Sequence, residues 1–521
     1  MEEDFSKFVH GFSITSAGIF YSAIMYYGGA LVAVNLLGPK EYGMFSLAFM
    51  IPNVLISFLL FGLDITVARY IAHNLGKDDK EKALRCAQTI FVVRIPVAFL
   101  SMAVFFLLAE PLATLLGEAV ITGLKLLSVY ICLYLIARYQ LAILQGYFLL
   151  KERTLVEVVM NTLNLVLLVP LVYAGCGYTS PIIAFLGAFA VSIVQAWYYL
   201  ERAHIPVFRI RFEGLTALKE YLKFSYYVYI SDSFHISYVW VGTVVIALYA
   251  MPVEFVGYYR AMFSITSTVV LISYGLTIVL YPMLSELNAR KEYERLAFSL
   301  RKVIKFTLGL SIPAALGMLL LSKPLVAFLF PQYMPAVALL RIFSFRMVFL
   351  PLWSILATAL LTLGREKKQA QFSVFLCSFS LVLSLILGMI SVEGIALACT
   401  VGLALAVSLQ YRELKNRVDN LNAGPVWKIV LSSAIMCMVI LGILQLDAPD
   451  YITVFVSLFV GIGVYALCVL KTRTVTPVDI QIMRSGASVF GKVGGIIGLI
   501  LSFAERIMGT GQQTPQGDER K

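Results

Sequence analysis

Eight ionisable side chains stand inside long apolar stretches of this sequence, where a charge is costly and therefore informative. A charge at the centre of a membrane span costs about 2.5–3.5 kcal/mol on insertion scales, so each is a functional candidate by default. Six of them are cations, and the other two are three residues apart, which places them on one face of a helix. The cations are Arg94, Lys125, Arg138, Arg260, Arg341 and Arg346, and the pair is Asp232 and His235.

The excess of cations over acids predicts an electropositive interior that favours an anionic ligand. Arginine suits phosphate because its planar fork binds two oxygens at once. Lys125, Arg260 and Arg341 lie near the outer ends of their spans and could instead be structural anchors that reach lipid headgroups. Arg138 and Arg346 lie deeper and fall within about 80° of one another on helices that correspond in an internal repeat. We therefore expect these two to face a substrate-binding cleft.

The remaining candidates have two interpretations each. Asp232 and His235 are a possible ion-coupling or proton-coupling site, or Asp232 is a buried partner for an arginine. Arg94 could pair with an acid or face a cytoplasmic vestibule. The chain has four histidines and seven scattered cysteines, so we expect no metal site and no cofactor. It has no Walker loop, no HExxH and no nucleophile elbow, so we expect a protein that is not an enzyme.

The elements that must position these side chains are transmembrane helices. Hydrophobic residues make up 60% of the chain and charged residues 14%, with a mean hydropathy of +0.87, whereas soluble domains are about 45–50% apolar and about 25% charged. The apolar runs exceed about 20 residues and do not alternate as barrel strands do. The sequence predicts an all-α integral membrane protein with about 14 transmembrane helices. The predicted spans lie near 12–37, 43–63, 86–109, 120–149, 154–174, 180–200, 222–248, 257–283, 303–321, 336–363, 369–390, 394–411, 426–446 and 451–470.

The distribution of lysine and arginine among the loops predicts the orientation of the chain in the membrane. Lysine and arginine concentrate in alternate loops and at the termini, whereas the other loops hold only Lys40 and Lys323. Basic loops are cytoplasmic, so both termini are expected in the cytoplasm of a multi-pass plasma-membrane protein. This distribution also argues against nucleic-acid binding despite the net charge of +11. Gly486–Phe503 is apolar but interrupted by Lys492, which favours an interfacial helix over a further span. The basic loops are 64–85, 150–153, 201–223, 284–305, 364–368 and 412–428.

An internal repeat organises the spans. Five short motifs recur at an offset of 213 to 217 residues, including Gly38–Tyr42 as Met251–Phe255 and Glu110–Leu112 as Lys323–Leu325. Six spans per copy give both copies the same orientation, and such parallel lobes bind substrate between them and alternate access by rocking. The predicted domains are an N-terminal six-helix lobe (1–211), a C-terminal six-helix lobe (212–415), two further helices (416–471) and a cytoplasmic tail (472–521).

Several motifs resemble the prokaryotic polysaccharide flippases of the multidrug/oligosaccharidyl-lipid/polysaccharide exporter superfamily. They occur in order within residues 10–415 and are Leu37–Ser46, Gly62–Asp64, Arg69–Ala72, Gly76–Asp78, Leu144–Gly146, Pro282–Lys305, Leu339–Ile342 and Gly364–Arg365. The resemblance implies a central cationic cavity and translocation of a polyprenyl-phosphate- or pyrophosphate-linked oligosaccharide to the outer leaflet. It implies as partners the lipid-linked saccharide, membrane lipids, and the glycosyltransferases and polymerase of the same pathway.

Three other functions stay open at this point. A cation-coupled multidrug exporter of the same superfamily would use Asp232, the single acid near the middle of a span. A membrane-bound transferase would need a larger polar loop than the roughly 20-residue loops present here. A structural scaffold would lack a cleft between the lobes.

Overall fold

The structure is a computed structural model that describes residues 2–207, 214–418, 421, 426–446, 448–472 and 474. Over these residues the chain is helical and contains no strand. The α-helices are α1 (Glu2–Leu59), α2 (Leu63–Gly76), α3 (Lys80–Leu116), α4 (Ile121–Gly146), α5 (Leu150–Tyr173), α6 (Ser180–Arg202), α7 (Leu215–Leu248), α8 (Val253–Ser267), α9 (Val270–Ala289), α10 (Tyr293–Leu320), α11 (Ser322–Leu329), α12 (Val337–Thr362), α13 (Glu366–Gly388), α14 (Val392–Lys415), α15 (Val426–Leu444) and α16 (Asp450–Lys471).

The predicted all-α membrane fold is confirmed. Twelve segments of the described residues are long and apolar enough to cross a membrane. The exact count of about 14 spans stays a prediction. Two features account for the difference between the 14 predicted spans and the 12 observed segments. The first two predicted spans fall within one continuous segment, Gly18–Gly76, and the eighth predicted span is divided between α8 and α9.

Glycines with positive φ bend the first long segment. Gly38 has a φ of 71° and precedes Pro39, so two helical segments meet at a kink there within the range of α1. Gly62 has a φ of 65°, and it separates α1 from α2. The expected loop 64–85 is helical in its first half, because α2 begins at Leu63 and continues to Gly76. Helix α2 is short and carries polar residues, so it lacks the apolar length that marks a span.

The helices pack in groups along the chain. In the first part, α3 packs on α4, α4 and α5 pack on α6, and α1 packs on α5. In the second, α7 packs on α13, α13 and α12 pack on α14, and α10 packs on α12. Helices α15 and α16 pair with each other and rest on α10 and α11. The proposed lobe boundaries stay predictions, and Gly486–Phe503 lies outside the described residues.

Helix α1 joins the two groups of helices. Gly43 of α1 packs on Gly257 of α8 so closely that a Cβ on either glycine would overlap the backbone of the other helix. The Tyr42 hydroxyl lies 3.2 Å from the Ser264 hydroxyl beside this contact. Gly43 and Gly257 differ by 214 positions, one more than the offset of 213 in this part of the internal repeat, so they lie one position out of register. The two copies of the repeat therefore meet at glycines near corresponding positions, which allow the backbones to approach closely.

Candidate functional site

A cavity of about 500 Å³ lies between α1 and helices of the second group. This volume falls within the range of about 300–1,000 Å³ that is typical of small-molecule sites. Helices α1, α7, α8, α9 and α12 contribute its walls. The lining residues are Tyr26, Tyr27, Ala30, His235, Val239, Arg260, Phe263, Ser264, Ser267, Val270, Arg346, Leu350, Ser354 and Thr358.

Two arginines supply the charge of this cavity. The Arg346 guanidinium is 1% exposed, lies 3.8 Å from the centre of the Phe263 ring and donates from Nη1 to the Ser267 hydroxyl at 3.0 Å. The Arg260 guanidinium lies 3.9 Å from the Trp240 ring centre and 5.1 Å from that of Phe263. Cation–π contacts of this kind hold a cation in place without neutralising its charge. Both arginines are therefore positioned and still positively charged.

The described lining residues supply no acidic group to balance these two arginines. Among the described residues that line it, none is an aspartate or a glutamate. Within the described part of the chain, Nε of Arg260, Nε of Arg346 and Nδ1 of His235 are buried without a hydrogen-bond partner. Arg260 Nη1 donates to the Val239 carbonyl at 3.0 Å, which uses only one of its five donors. This arrangement suits an anion whose oxygens accept several hydrogen bonds, and phosphate is such an anion.

His235 and Asp232 have different surroundings although they lie one helical turn apart on α7. His235 lines the cavity, and its ring stacks on that of Trp353 with a centroid distance of 5.4 Å and an interplanar angle of 11°. Asp232 is exposed but does not line this cavity, and its carboxylate lies within electrostatic range of Arg138. The ion-coupling role of the pair stays a prediction.

Arg94 belongs to a buried ion pair. Its Nη2 lies 2.6 Å from Oδ1 of Asp64, and its two terminal nitrogens also donate to the carbonyls of Leu59 and Leu60 at 3.3 and 3.2 Å. These carbonyls lie at the break between α1 and α2, where helical partners are missing. Arg138 Nε lies 3.8 Å from Oδ2 of the same Asp64, and its side chain is 42% exposed. Neither arginine lines the cavity, and Arg94 follows the first of its two interpretations, pairing with an acid.

Lys125 and Arg341 also lie away from the cavity. Lys125 Nζ is 2.9 Å from Oε1 of Glu110, and Arg341 Nε donates to the Ser322 hydroxyl at 3.0 Å. The two contacts lie in corresponding parts of the two copies, since Lys125 corresponds to Arg341, and Glu110 corresponds to Lys323, the neighbour of Ser322. These surroundings are those expected of structural anchors, and a role of Lys125 and Arg341 in substrate binding stays a prediction.

The structure therefore brings Arg346 together with Arg260 at this cavity, whereas the sequence argument placed Arg346 with Arg138, and a role of Arg138 in substrate binding stays a prediction. Arg260 lies two turns inside α8, which begins at Val253. The spacing along α8 carried a signal that was missed. Arg260, Phe263, Ser264 and Ser267 follow the i, i+3, i+4, i+7 pattern of one helix face. All four line the cavity.

Comparison with known proteins defines the class of this chain. Residues 32–338, which are more than half of the sequence, match the family of polysaccharide biosynthesis proteins, and the chain belongs to that family. The resemblance inferred from the sequence motifs is thereby confirmed. A probable low-salt glycan biosynthesis flippase of Haloferax volcanii, Agl15, is 23% identical over 304 residues. The match covers 58% of this chain and 63% of that relative.

Solved structures show the same fold. The lipid II flippase MurJ in an inward closed conformation superposes with a TM-score of 0.71 at 17% identity, over 87% of this chain and 97% of MurJ. An inward-facing multidrug resistance transporter of the MATE family superposes at 0.68 and 18% identity, over 79% and 99% of the two chains. A transporter from Pyrococcus furiosus, described as having a binding pocket of reverse polarity, superposes at 0.58 and 18% identity over 79% and 96%. The chain is a multi-span membrane protein with the fold of these solved structures.

Proposed function

We propose that this protein is a flippase that carries a polyprenyl-phosphate- or pyrophosphate-linked saccharide from the cytoplasmic to the outer leaflet. The observation that supports it best is the cavity with two arginines and no carboxylate among its described lining residues. The phosphate binds Arg260 and Arg346 there, while the apolar polyprenyl chain stays in the surrounding lipid. Membership of the polysaccharide biosynthesis family and the likeness to a glycan flippase favour a saccharide as the headgroup.

The mechanism we propose is alternating access between the two repeat copies. The close contact at Gly43 and Gly257 closes the cavity at the end that the basic loops predict to be outer. Separation of these glycines would open that end, and closure of the cytoplasmic end would keep the pathway sealed. No ATP-binding motif occurs in the sequence, so the energy comes from an ion gradient or from consumption of the product outside.

The test is the flipping rate of the native lipid-linked saccharide in vesicles that contain the purified protein. Arg260→Gln and Arg346→Gln are each expected to lower the rate at least about tenfold, since one charge-assisted phosphate contact is worth about 1.5–3 kcal/mol. The double variant should be inactive. Arg295→Gln is the matched control, because Arg295 is 76% exposed and bonded to Glu292 outside the cavity. A double variant that flips at the wild-type rate would contradict the assignment.

The multidrug exporter of the same superfamily is the alternative with the same fold. A pump for cationic drugs requires an acid at the binding site, and the described cavity lining supplies two arginines instead. If overexpression of the wild type confers drug resistance and Asp232→Asn abolishes it, the exporter is favoured. If overexpression confers no drug resistance, the flippase is favoured.

A further inference from the structure

One phenylalanine ring contacts both arginines of the cavity. The guanidinium carbon of Arg346 lies 3.8 Å from the centre of the Phe263 ring, and that of Arg260 lies 5.1 Å from the same centre. The separation of the two guanidinium carbons therefore cannot exceed the sum of these two distances, which is about 9 Å. Phe263 and Arg260 belong to α8 and Arg346 belongs to α12, so the ring brings together charges from two helices.

The Phe263 ring is itself fixed by its neighbours. It is 4% exposed, and it meets the Phe343 ring edge-to-face with a centroid distance of 5.6 Å and an interplanar angle of 88°. The Tyr259 ring lies beside it, with a centroid distance of 6.1 Å and an interplanar angle of 19°. Side chains packed in this way interdigitate and stay in defined rotamers. The ring is therefore a rigid support for the cations that contact it.

The ring solves an electrostatic problem of the empty cavity. Two guanidiniums this close repel each other, because arginine keeps its positive charge. The described lining of the cavity contains no carboxylate that could hold them together, whereas the negative face of an aromatic ring attracts each cation. A carboxylate would also occupy N–H donors that an anionic ligand needs. A ring against the face of a planar guanidinium leaves the N–H donors at its edge available.

We propose that Phe263 is the positioning residue that keeps Arg260 and Arg346 close enough to bind one phosphate group together. This inference rests on the proposed function and adds the side chain on which the affinity of both arginines depends. A phosphate has oxygens on all sides, and charge-assisted hydrogen bonds of about 2.7–2.9 Å allow it to contact two guanidiniums held this close. Each arginine also has a support of its own, since Trp240 lies 3.9 Å from Arg260 and the Ser267 hydroxyl lies 3.0 Å from Arg346 Nη1. Phe263 is the support that both arginines share.

The experiment measures binding of polyprenyl phosphate to the purified full chain in nanodiscs while fluorine is added stepwise to the Phe263 ring. Monofluoro-, difluoro- and trifluorophenylalanine at position 263 lower the negative charge on the ring face and change the size of the side chain little. We expect each fluorine to weaken binding, with a loss of about tenfold for the trifluoro ring, since a desolvated cation–π contact is worth about that factor. Phenylalanine incorporated at this position by the same method is the reference.

Phe105 is the matched control position, because it is 2% exposed but lies on α3 and does not line the cavity. Trifluorophenylalanine there should leave binding unchanged. Binding that stays constant or strengthens along the series at position 263 would overturn the inference alone, and so would an equal loss at position 105. Reference protein that does not bind polyprenyl phosphate would overturn the proposed function as well.

Discussion

Arg94→Met is expected to lower the free energy of unfolding by about 3–5 kcal/mol, which is the usual cost of leaving one member of a buried ion pair unpaired. Arg94 is 1% exposed and pairs with Asp64 at 2.6 Å. The same guanidinium satisfies the carbonyls of Leu59 and Leu60 where α1 gives way to α2. Removing it leaves the Asp64 carboxylate with the longer, 3.8 Å contact to the half-exposed Arg138, and it takes the Arg94 donor from two carbonyls inside the protein.

The measurement is thermal unfolding of the purified protein in detergent. Lys82→Met is the control, because the Lys82–Asp79 pair is 3.1 Å long but its lysine is 69% exposed, and exposed pairs contribute about 0–1 kcal/mol. The double variant Arg94→Met with Asp64→Leu should recover part of the loss, since it removes the uncompensated charge. Equal melting temperatures for Arg94→Met and the wild type would show that the Arg94–Asp64 pair does not stabilise the junction between α1 and α2.

Gly257→Ala is expected to abolish flipping and to lower the free energy of unfolding by about 1–3 kcal/mol, the typical cost of overpacking. A Cβ on Gly257 would overlap the Pro39 carbonyl oxygen, which belongs to backbone and cannot rotate away. The two copies of the repeat could then no longer approach at this end, and the cavity would not close there. Flipping in vesicles and thermal unfolding in detergent measure the two effects.

Gly317→Ala is the matched control for this substitution. Gly317 lies within α10, and a Cβ there would meet no atom within 4 Å. Alanine also favours helix over glycine, by about 1 kcal/mol, so the control should be as stable as the wild type or more stable. A Gly257→Ala protein with normal flipping would mean that the contact at Gly43 is not part of the closed end.

Much of the fold could be predicted because membrane spans are long and apolar. The hydrophobic runs and the turn residues between them identified nearly every helix, since the length of a span is set by the bilayer. The break between α8 and α9 was missed, because it interrupts apolar sequence without a change in hydropathy. The kink at Gly38 within α1 falls where the sequence predicted the end of the first span. Helix α2 was missed for the opposite reason, since its polar residues resemble a loop.

The site was predictable only in part. Buried charge identified Arg260 and Arg346 as candidates among six cations, because hydrocarbon makes every such residue exceptional. Which of the six cations line the cavity depends on the side chains that each one contacts. Contacts between distant helices cannot be predicted from the spacing of residues along the sequence. Arg94 meets Asp64 thirty positions away, and Lys125 of α4 meets Glu110 of α3 fifteen positions away. Tyr26 lines the cavity but gave no signal in the sequence, because one tyrosine among 28 does not stand out.

The central claim is that Arg260 and Arg346 hold the phosphate of a lipid-linked saccharide in the cavity between the two repeat copies. The most direct measurement is an experimental structure of the full chain with the native lipid-linked saccharide bound. The account predicts phosphate oxygens about 2.7–2.9 Å from the guanidinium nitrogens of both arginines, as in charge-assisted hydrogen bonds. A phosphate bound elsewhere, for example at Arg138, with the cavity empty would contradict it.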